Sequence, residues 1–124
     1  MRLLLDTHVL IWWSVRASLS PAATEALLTP DNDVLVSAAS VWEAEIKAAA
    51  GKLRIEADLE REPAEHGFRP LDITAGHTVA AARLPRHHGD PFDRMLIAQA
   101  QLEGLTIVTR DPVFARYQVA VLAA

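Results

Sequence analysis

The sequence predicts an α/β protein, a three-layer α/β/α sandwich with a mainly parallel central sheet. Short apolar runs, typical of strands that are buried on both faces, recur along the chain. Segments with helical periodicity lie between these runs, and such alternation is typical of parallel sheets. A length of 124 residues without cysteine indicates one domain, residues 1–124, whose core forms without disulfides.

Three apolar runs predict the principal strands: Arg2–Leu5, Val34–Val36 and Leu105–Thr109. Their continuous rather than alternating hydrophobicity favours strands covered on both faces. Two further segments, Phe68–Ile73 and Val119–Leu122, are expected to form shorter strands, the second at an edge of the sheet.

Terminal residues predict most of the helices. Ser20 and Asp90 each precede a proline and are expected to be N-caps, and Ser37 is expected to cap a helix that ends at Gly51. Pro63 is expected to break or kink one helical segment. The predicted helices are Val9–Val15, Pro21–Leu28, Ser37 to Ala50, Ile55–His66, Thr74–Arg83 and Asp90 to Gly104.

Charge and hydropathy limit the partners that the chain is expected to bind. The net charge is −4, from 12 basic and 16 acidic residues, which taken alone disfavours a polyanion. If four carboxylates hold a metal ion, 12 of each sign remain, and a divalent ion makes the surface positive. Ten of the 12 basic residues are arginine, which binds phosphate well. The apolar runs are too short for a membrane span, so we expect a soluble, cytoplasmic protein.

Four acidic residues are predicted at one edge of the sheet. Asp6 follows the first strand, Asp111 follows the Leu105–Thr109 strand, and Glu43 and Asp93 lie in helices next to predicted strands. Ligands of parallel sheets bind beyond the carboxyl ends of the strands. Clustered carboxylates repel one another unless a cation is bound, and oxygen ligands select Mg²⁺ or Mn²⁺ over zinc.

Each of these acids also has a purely structural interpretation. Asp6 is a plausible N-cap, and Asp111 before Pro112 is typical of a turn. Glu43 has the spacing for a capping box with Ser40 or for an ion pair with Lys47. The sequence leaves these alternatives open.

Several segments carry a family resemblance in chain order: Met1–His8, Ser37–Glu43, Asp90–Ala100 and Val108–Asp111. They resemble PIN-domain ribonucleases and, more narrowly, the toxin subunit of VapBC toxin–antitoxin pairs. The D-P-F-D-R-x-L-I-A-Q-A stretch is the most specific of them. The resemblance implies metal-coordinating acids at Asp6, Glu43, Asp93 and Asp111.

The activity implied by the resemblance is Mg²⁺-dependent endoribonuclease cleavage, with Mn²⁺ as a substitute ion and a metal-activated water as the attacking group. Thr7, Thr109, Arg94 and Arg110 are candidate contacts to water or RNA phosphates. The resemblance also implies a cognate VapB-like antitoxin and a homodimer. The apolar run Val9–Trp13 is too hydrophobic for an ordinary surface helix, so part of it is expected to meet the core or a partner.

The sequence bears on three alternative functions. A phosphoacceptor receiver domain requires a lysine at a late strand end, whereas the only lysines are Lys47 and Lys52. A haloacid-dehalogenase-type phosphatase requires D-x-D after the first strand, where Asp6-Thr7-His8 stands. The main alternative is therefore a catalytically inactive PIN fold that binds RNA or protein.

Overall fold

Strands and helices alternate along the chain in the computed structural model, which describes residues 1–124. The strands are β1 (Arg2–Leu5), β2 (Asp33–Ser37), β3 (Arg69–Leu71), β4 (Thr106–Thr109) and β5 (Ala120–Ala123). The helices are α1 (Thr7–Ser14), α2 (Pro21–Leu28), α3 (Ala38–Ala49), α4 (Glu62–Glu65), α5 (Ala75–Ala82) and α6 (Pro91–Glu103), with a 3₁₀ helix at Pro112–Arg116. None of the helices has the length and apolarity needed to cross a membrane.

The five strands form a single parallel sheet in the order β3-β2-β1-β4-β5. The chain first builds β1, β2 and β3 in one direction and then crosses back to place β4 on the other side of β1. The junction between β1 and β4 is therefore the point where the strand order reverses, and crevices for ligands form at such points. The predicted sandwich with a mainly parallel sheet is confirmed, and the sheet is entirely parallel.

Successive residues of each central strand point into different hydrophobic cores. Leu3 and Leu5 of β1 join the core formed with α1 and α2, whereas Leu4 between them joins the core formed with α5 and α6. In β4, Val108 joins the core formed with α1 and α2, and Ile107 joins the core formed with α5 and α6. The strands read as continuous apolar runs because both faces are covered.

Helix α3 lies between the two helical layers. Its N-cap is Ser37, whose Oγ accepts a hydrogen bond from the Ala39 N–H at 3.0 Å, as predicted. The helix contacts both α1 and α6. Since α3 starts at the carboxyl end of β2, its first turns stand over the edge of the sheet where β1 also ends.

The helix predicted at Ile55–His66 is largely wrong, because only Glu62–Glu65 is helical. Pro63 is tolerated in the first turn of this short helix but not in the interior of a longer one. Upstream, the Asp58 carboxylate accepts hydrogen bonds from the N–H groups of Glu60 and Arg61. Such local bonds compete with helix formation.

Candidate functional site

Asp6 lies directly after β1 and is 3% exposed. Its Oδ1 accepts a hydrogen bond from the Val9 N–H at 2.8 Å, so it caps α1, and its Oδ2 accepts one from the Thr109 hydroxyl. Burial raises the pKa of the Asp6 carboxyl, with a further contribution from the charge of Asp111, while the two hydrogen bonds and His8 oppose the rise. Asp6 is thus both a helix cap and a buried carboxyl group at the edge of the sheet.

Glu43 projects from the second turn of α3 and is 6% exposed. Its Oε1 accepts a hydrogen bond from the Thr7 hydroxyl at 2.6 Å, and its Oε2 lies 3.0 Å from Lys47 Nζ. The ion-pair alternative predicted for Glu43 is therefore present. Because Thr7 follows Asp6 in the chain, its hydrogen bond links the Asp6 region to α3.

Asp93 occupies the first turn of α6, after the N-cap Asp90. Its Oδ2 lies 2.9 Å from Nε2 of His88, and no protein group donates a hydrogen bond to its Oδ1. Burial raises the pKa of the Asp93 carboxyl to about 6, the hydrogen bond from His88 opposes the rise, and the charges of Asp90 and Glu43 add to it. The repulsion from Glu43 connects Asp93 electrostatically to the acid on α3.

Asp111 is the most exposed of the four predicted acids and caps the 3₁₀ helix at Pro112–Arg116. Its Oδ1 accepts a hydrogen bond from the Val113 N–H at 2.9 Å. Its own N–H donates to the hydroxyl of Thr109 at 3.0 Å. The same hydroxyl donates to Asp6, so Thr109 ties Asp111 to Asp6.

The four predicted acids lie along one edge of the sheet without closing into a tight ligand set. The one trio of ligating side chains with atoms within 4.8 Å of one another is His88, Asp90 and Asp93. Like charges near ~4 Å apart repel by about 4 kcal/mol at an effective dielectric of about 20. Internal hydrogen-bond donors to each carboxylate offset part of that repulsion in this arrangement.

The candidate substrate contacts are engaged inside the protein. Thr7 and Thr109 are both 2% exposed and donate their hydroxyl protons to carboxylates. Arg110 donates to the carbonyls of Ser18 and Ala124, and its guanidinium lies 4.2 Å from the Trp12 ring centroid. These contacts give the three residues supporting roles, and their contact with RNA stays a prediction.

Arg94 likewise donates only to backbone carbonyls. The acceptors are the carbonyl oxygens of Ala81, Leu84, Pro85 and His88, at 2.9 to 3.2 Å. Neither Arg94 nor Arg110 forms an ion pair with a carboxylate.

A buried polar chain behind the site was missed from the sequence. The Ser37 hydroxyl donates to Oε1 of Gln99 at 2.6 Å, and Gln99 Nε2 lies 3.3 Å from Nδ1 of His77. Nε2 of His77 in turn lies 2.9 Å from the Glu103 carboxylate. The sequence feature that could have predicted this chain is Gln99, a glutamine among the apolar residues of α6 at a position that helical periodicity places toward the core.

The donor set at this edge suits a hard divalent cation. All four predicted acids offer carboxylate oxygens, the chain has no cysteine, and one oxygen each of Asp93 and Asp111 receives no hydrogen bond from the protein. Magnesium and manganese prefer such oxygen ligands. Burial raises the pKa of Asp6 and Asp93, which shows that their charged forms lack full compensation within the protein.

Comparison with known proteins identifies the family. A family model described as the PIN domain matches residues 3–120. The chain is 34% identical over 113 residues to Ribonuclease VapC22 of Mycobacterium tuberculosis, an alignment that covers 87% of this chain and 85% of that protein.

Solved structures share the fold. VapBC2 from Rickettsia felis, bound to a promoter DNA fragment, matches with a TM-score of 0.71 at 16% identity, covering 99% of this chain and 98% of that chain. FitAcB from Neisseria gonorrhoeae matches with a TM-score of 0.68 at 24% identity, covering 97% and 96%. The chain therefore belongs to the PIN-domain family, within its VapC group.

Proposed function

We propose that this protein is a Mg²⁺-dependent endoribonuclease that acts as the toxin of a type II toxin–antitoxin pair. The observation that carries the proposal is the alignment of Asp6, Glu43, Asp93 and Asp111 along the edge where β1 and β4 end, in a chain that is similar to a ribonuclease. Hydrogen bonds and charge interactions connect these acids in sequence, from Asp111 through Asp6 and Thr7 to Glu43 and Asp93.

Each acid has a distinct role in the proposed site. Asp6 and Asp93 hold the cation, and Glu43 and Asp111 complete its environment. A divalent cation held by these residues would supply charge stabilisation at a phosphoryl oxygen and activation of a water molecule. Thr7 and Thr109 hold the carboxylates of Glu43 and Asp6 in fixed orientations through their buried hydroxyls.

A groove next to Asp93 supports binding of a phosphate backbone. It is lined by Arg86, His87, His88, Gly89 and Arg94, among others. Arg86 and His87 are exposed, and although the His87 ring packs edge-on against Tyr117, the side chain of Arg86 is free to meet RNA phosphates. The net charge of −4 opposes RNA binding less once a divalent ion has neutralised part of the acidic edge.

Cleavage of RNA by purified variants tests the proposal. Asp6→Asn and Asp93→Asn each remove one carboxylate charge with little change in shape, and we expect each to lower the cleavage rate in Mg²⁺ by at least about 100-fold. Asp31→Asn, on a turn remote from the site in sequence, is the matched control and should cleave like the parent. Parental activity in either site variant would contradict the assignment, and a parent protein that binds RNA without cutting it would favour the inactive PIN fold.

A toxin of this type requires a partner that restrains it. Because the R. felis structure contains a VapBC complex, we propose a VapB-like antitoxin for this chain and a cytoplasmic location for the pair. Co-expression with the product of a short neighbouring gene tests this, since the antitoxin should co-purify and suppress cleavage.

We also propose that the protein forms a homodimer through the exposed face of α3. Trp42 is 61% exposed and Ile46 is 43% exposed, and the Trp42 ring contacts Phe92 of α6 with the ring centroids 5.2 Å apart. Trp12 and Trp13 are less suitable, because Arg110, His66 and Phe68 already cover them. Exposed aromatic residues of this kind mark protein interfaces.

Light scattering on the protein as it elutes from a size-exclusion column measures its molecular mass and so tests the proposed dimer. Trp42→Glu should convert a dimer to a monomer, because it introduces a charge into an apolar contact. Leu102→Glu, at the opposite end of α6 from Phe92, is the control, since Leu102 is also exposed, at 56%. A monomeric parent protein, or a Trp42→Glu variant that stays dimeric, would overturn this proposal.

A further inference from the structure

The side chain of Arg94 on α6 ties the α5–α6 loop, residues 83–90, to that helix. Arg94 donates hydrogen bonds to four carbonyls, one in the last turn of α5 (Ala81) and three in the loop (Leu84, Pro85 and His88). Helix ends leave carbonyls without intrahelical partners, and a cationic side chain there is favourable. The guanidinium therefore fixes the distance between the end of α5 and the first turn of α6.

The same loop delivers His88 to Asp93. Nε2 of His88 lies 2.9 Å from Oδ2 of Asp93, and the His88 side chain is 30% exposed. The His88 carbonyl is held from two sides, by Arg94 at 3.2 Å and by the Tyr117 hydroxyl at 3.5 Å. The backbone of His88 is thus anchored at the residue whose ring contacts the carboxylate.

We propose that Arg94 and His88 act together as positioning residues that orient the Asp93 carboxylate for metal binding. His88 occupies Oδ2 and leaves Oδ1, which receives no protein hydrogen bond, directed to a cation. Arg94 acts through the loop, and only a planar group with several donors spans four carbonyls; the single ammonium of lysine does not. This inference rests on the proposed function, because it assigns Asp93 as a metal ligand.

The arrangement gives a role to the arginine of the D-P-F-D-R stretch, which the two acids of that stretch leave unexplained. Asp90 caps α6 through the N–H groups of Phe92 and Asp93, which sets the start of the helix. Arg94, one residue after the proposed ligand, then ties the preceding loop to that start. Partners that orient metal ligands typically alter metal affinity about 10- to 100-fold when they are removed.

Manganese titration by calorimetry tests the proposal without any RNA. We expect His88→Ala and Arg94→Lys each to weaken Mn²⁺ binding about tenfold or more, and His88→Gln to retain most of the affinity because its amide keeps a donor near the Nε2 position. If Arg94 and His88 act through one path, the double variant should bind Mn²⁺ no more weakly than whichever single variant has the lower Mn²⁺ affinity. Arg83→Lys is the control, since Arg83 is exposed and its side chain makes no hydrogen bond.

Nitrogen-15 NMR of the histidine rings provides a second measurement on the parent protein. In metal-free protein His88 should carry a proton on Nε2 that is hydrogen-bonded to a carboxylate, and Arg94→Lys should abolish that signature while the fold persists. Additive losses, or parental Mn²⁺ affinity in His88→Ala and Arg94→Lys, would overturn the inference. Retained Mn²⁺ binding in Asp93→Asn would instead overturn the proposed metal site itself, so the two failures are distinguishable.

Discussion

Asp93 is the residue at which function and stability oppose each other most clearly. Its carboxyl group is largely buried, and burial together with the charges of Asp90 and Glu43 raises its pKa to about 6, well above the ordinary value for an aspartate. Between about pH 4 and pH 6 the folded protein therefore binds more protons than the unfolded chain. Stability is lost as the pH rises through this window, and the loss persists at higher pH.

We expect Asp93→Asn to stabilise the metal-free protein at about pH 7.5 by about 1 to 2 kcal/mol, because water screens part of the penalty on this partly exposed charge, and to give little gain near pH 4. The amide removes the buried charge but keeps the shape of the side chain. Urea unfolding in the presence of a chelator, at both pH values, measures the effect.

Asp111→Asn is the matched control, because Asp111 is exposed and asparagine caps a helix about as well as aspartate. It should leave stability nearly unchanged. Equal stability of Asp93→Asn and the parent at the higher pH would show that burial does not disfavour the Asp93 charge.

Individual residue roles were only partly predictable. The positions of Asp6 and Asp111 at strand ends follow from the local sequence, because each acid comes directly after an apolar run or soon after it. The contact of Thr109 with Asp6 does not, because it depends on side-chain distances across the fold. The Glu43–Lys47 ion pair, by contrast, has the i,i+4 spacing that the sequence itself shows. Asp6 also shows that capping a helix is compatible with a place among the four acids, since the carboxylate that caps α1 lies at the carboxyl end of β1.

At the scale of elements, a buried hydrogen-bond chain connects three helices behind the acidic edge. Gln99 of α6 bonds to Ser37, which caps α3, and to His77 of α5. Gln99 and Ser37 are both 0% exposed. This hydrogen-bond chain therefore fixes the position of α3, which carries Glu43, relative to α6, which carries Asp93.

Gln99→Met tests the contribution of this chain to stability. Methionine fills a similar volume but leaves the Ser37 hydroxyl without its acceptor, and we expect a loss of about 1 to 3 kcal/mol in the free energy of unfolding. Gln101→Met, on the exposed side of the same helix, should change stability by less than about 0.5 kcal/mol. Similar unfolding midpoints for the two variants in urea would contradict the role assigned to Gln99.

Helices with clear end signals were predicted well, whereas the helix predicted at Ile55–His66 was largely wrong. The caps Ser20, Ser37 and Asp90 lie where the sequence places them, and Gly104 ends α6 with a φ of 67°. The helix prediction failed over residues 55–61 because the apolar residues Ile55 and Leu59 pack on the core from irregular backbone. Apolar spacing alone does not distinguish that arrangement from a helix.

For the whole molecule, the position of the site follows from topology. Because the strand order reverses between β1 and β4, a crevice forms at the carboxyl ends of these two strands. The connection through α5 and α6 brings Asp93 to the same end of the sheet. The parallel sheet was predictable from the continuous apolar runs. The strand order was not, because no local feature of the sequence states which strands are neighbours.

The most direct test of the central claim is the anomalous scattering of crystals grown with Mn²⁺. The account predicts a manganese peak coordinated by Asp6 and Asp93, with Glu43 and Asp111 beside it, and loss of that peak in Asp6→Asn. A peak confined to His88, Asp90 and Asp93, or carboxylates that keep only their protein partners at saturating Mn²⁺, would contradict it.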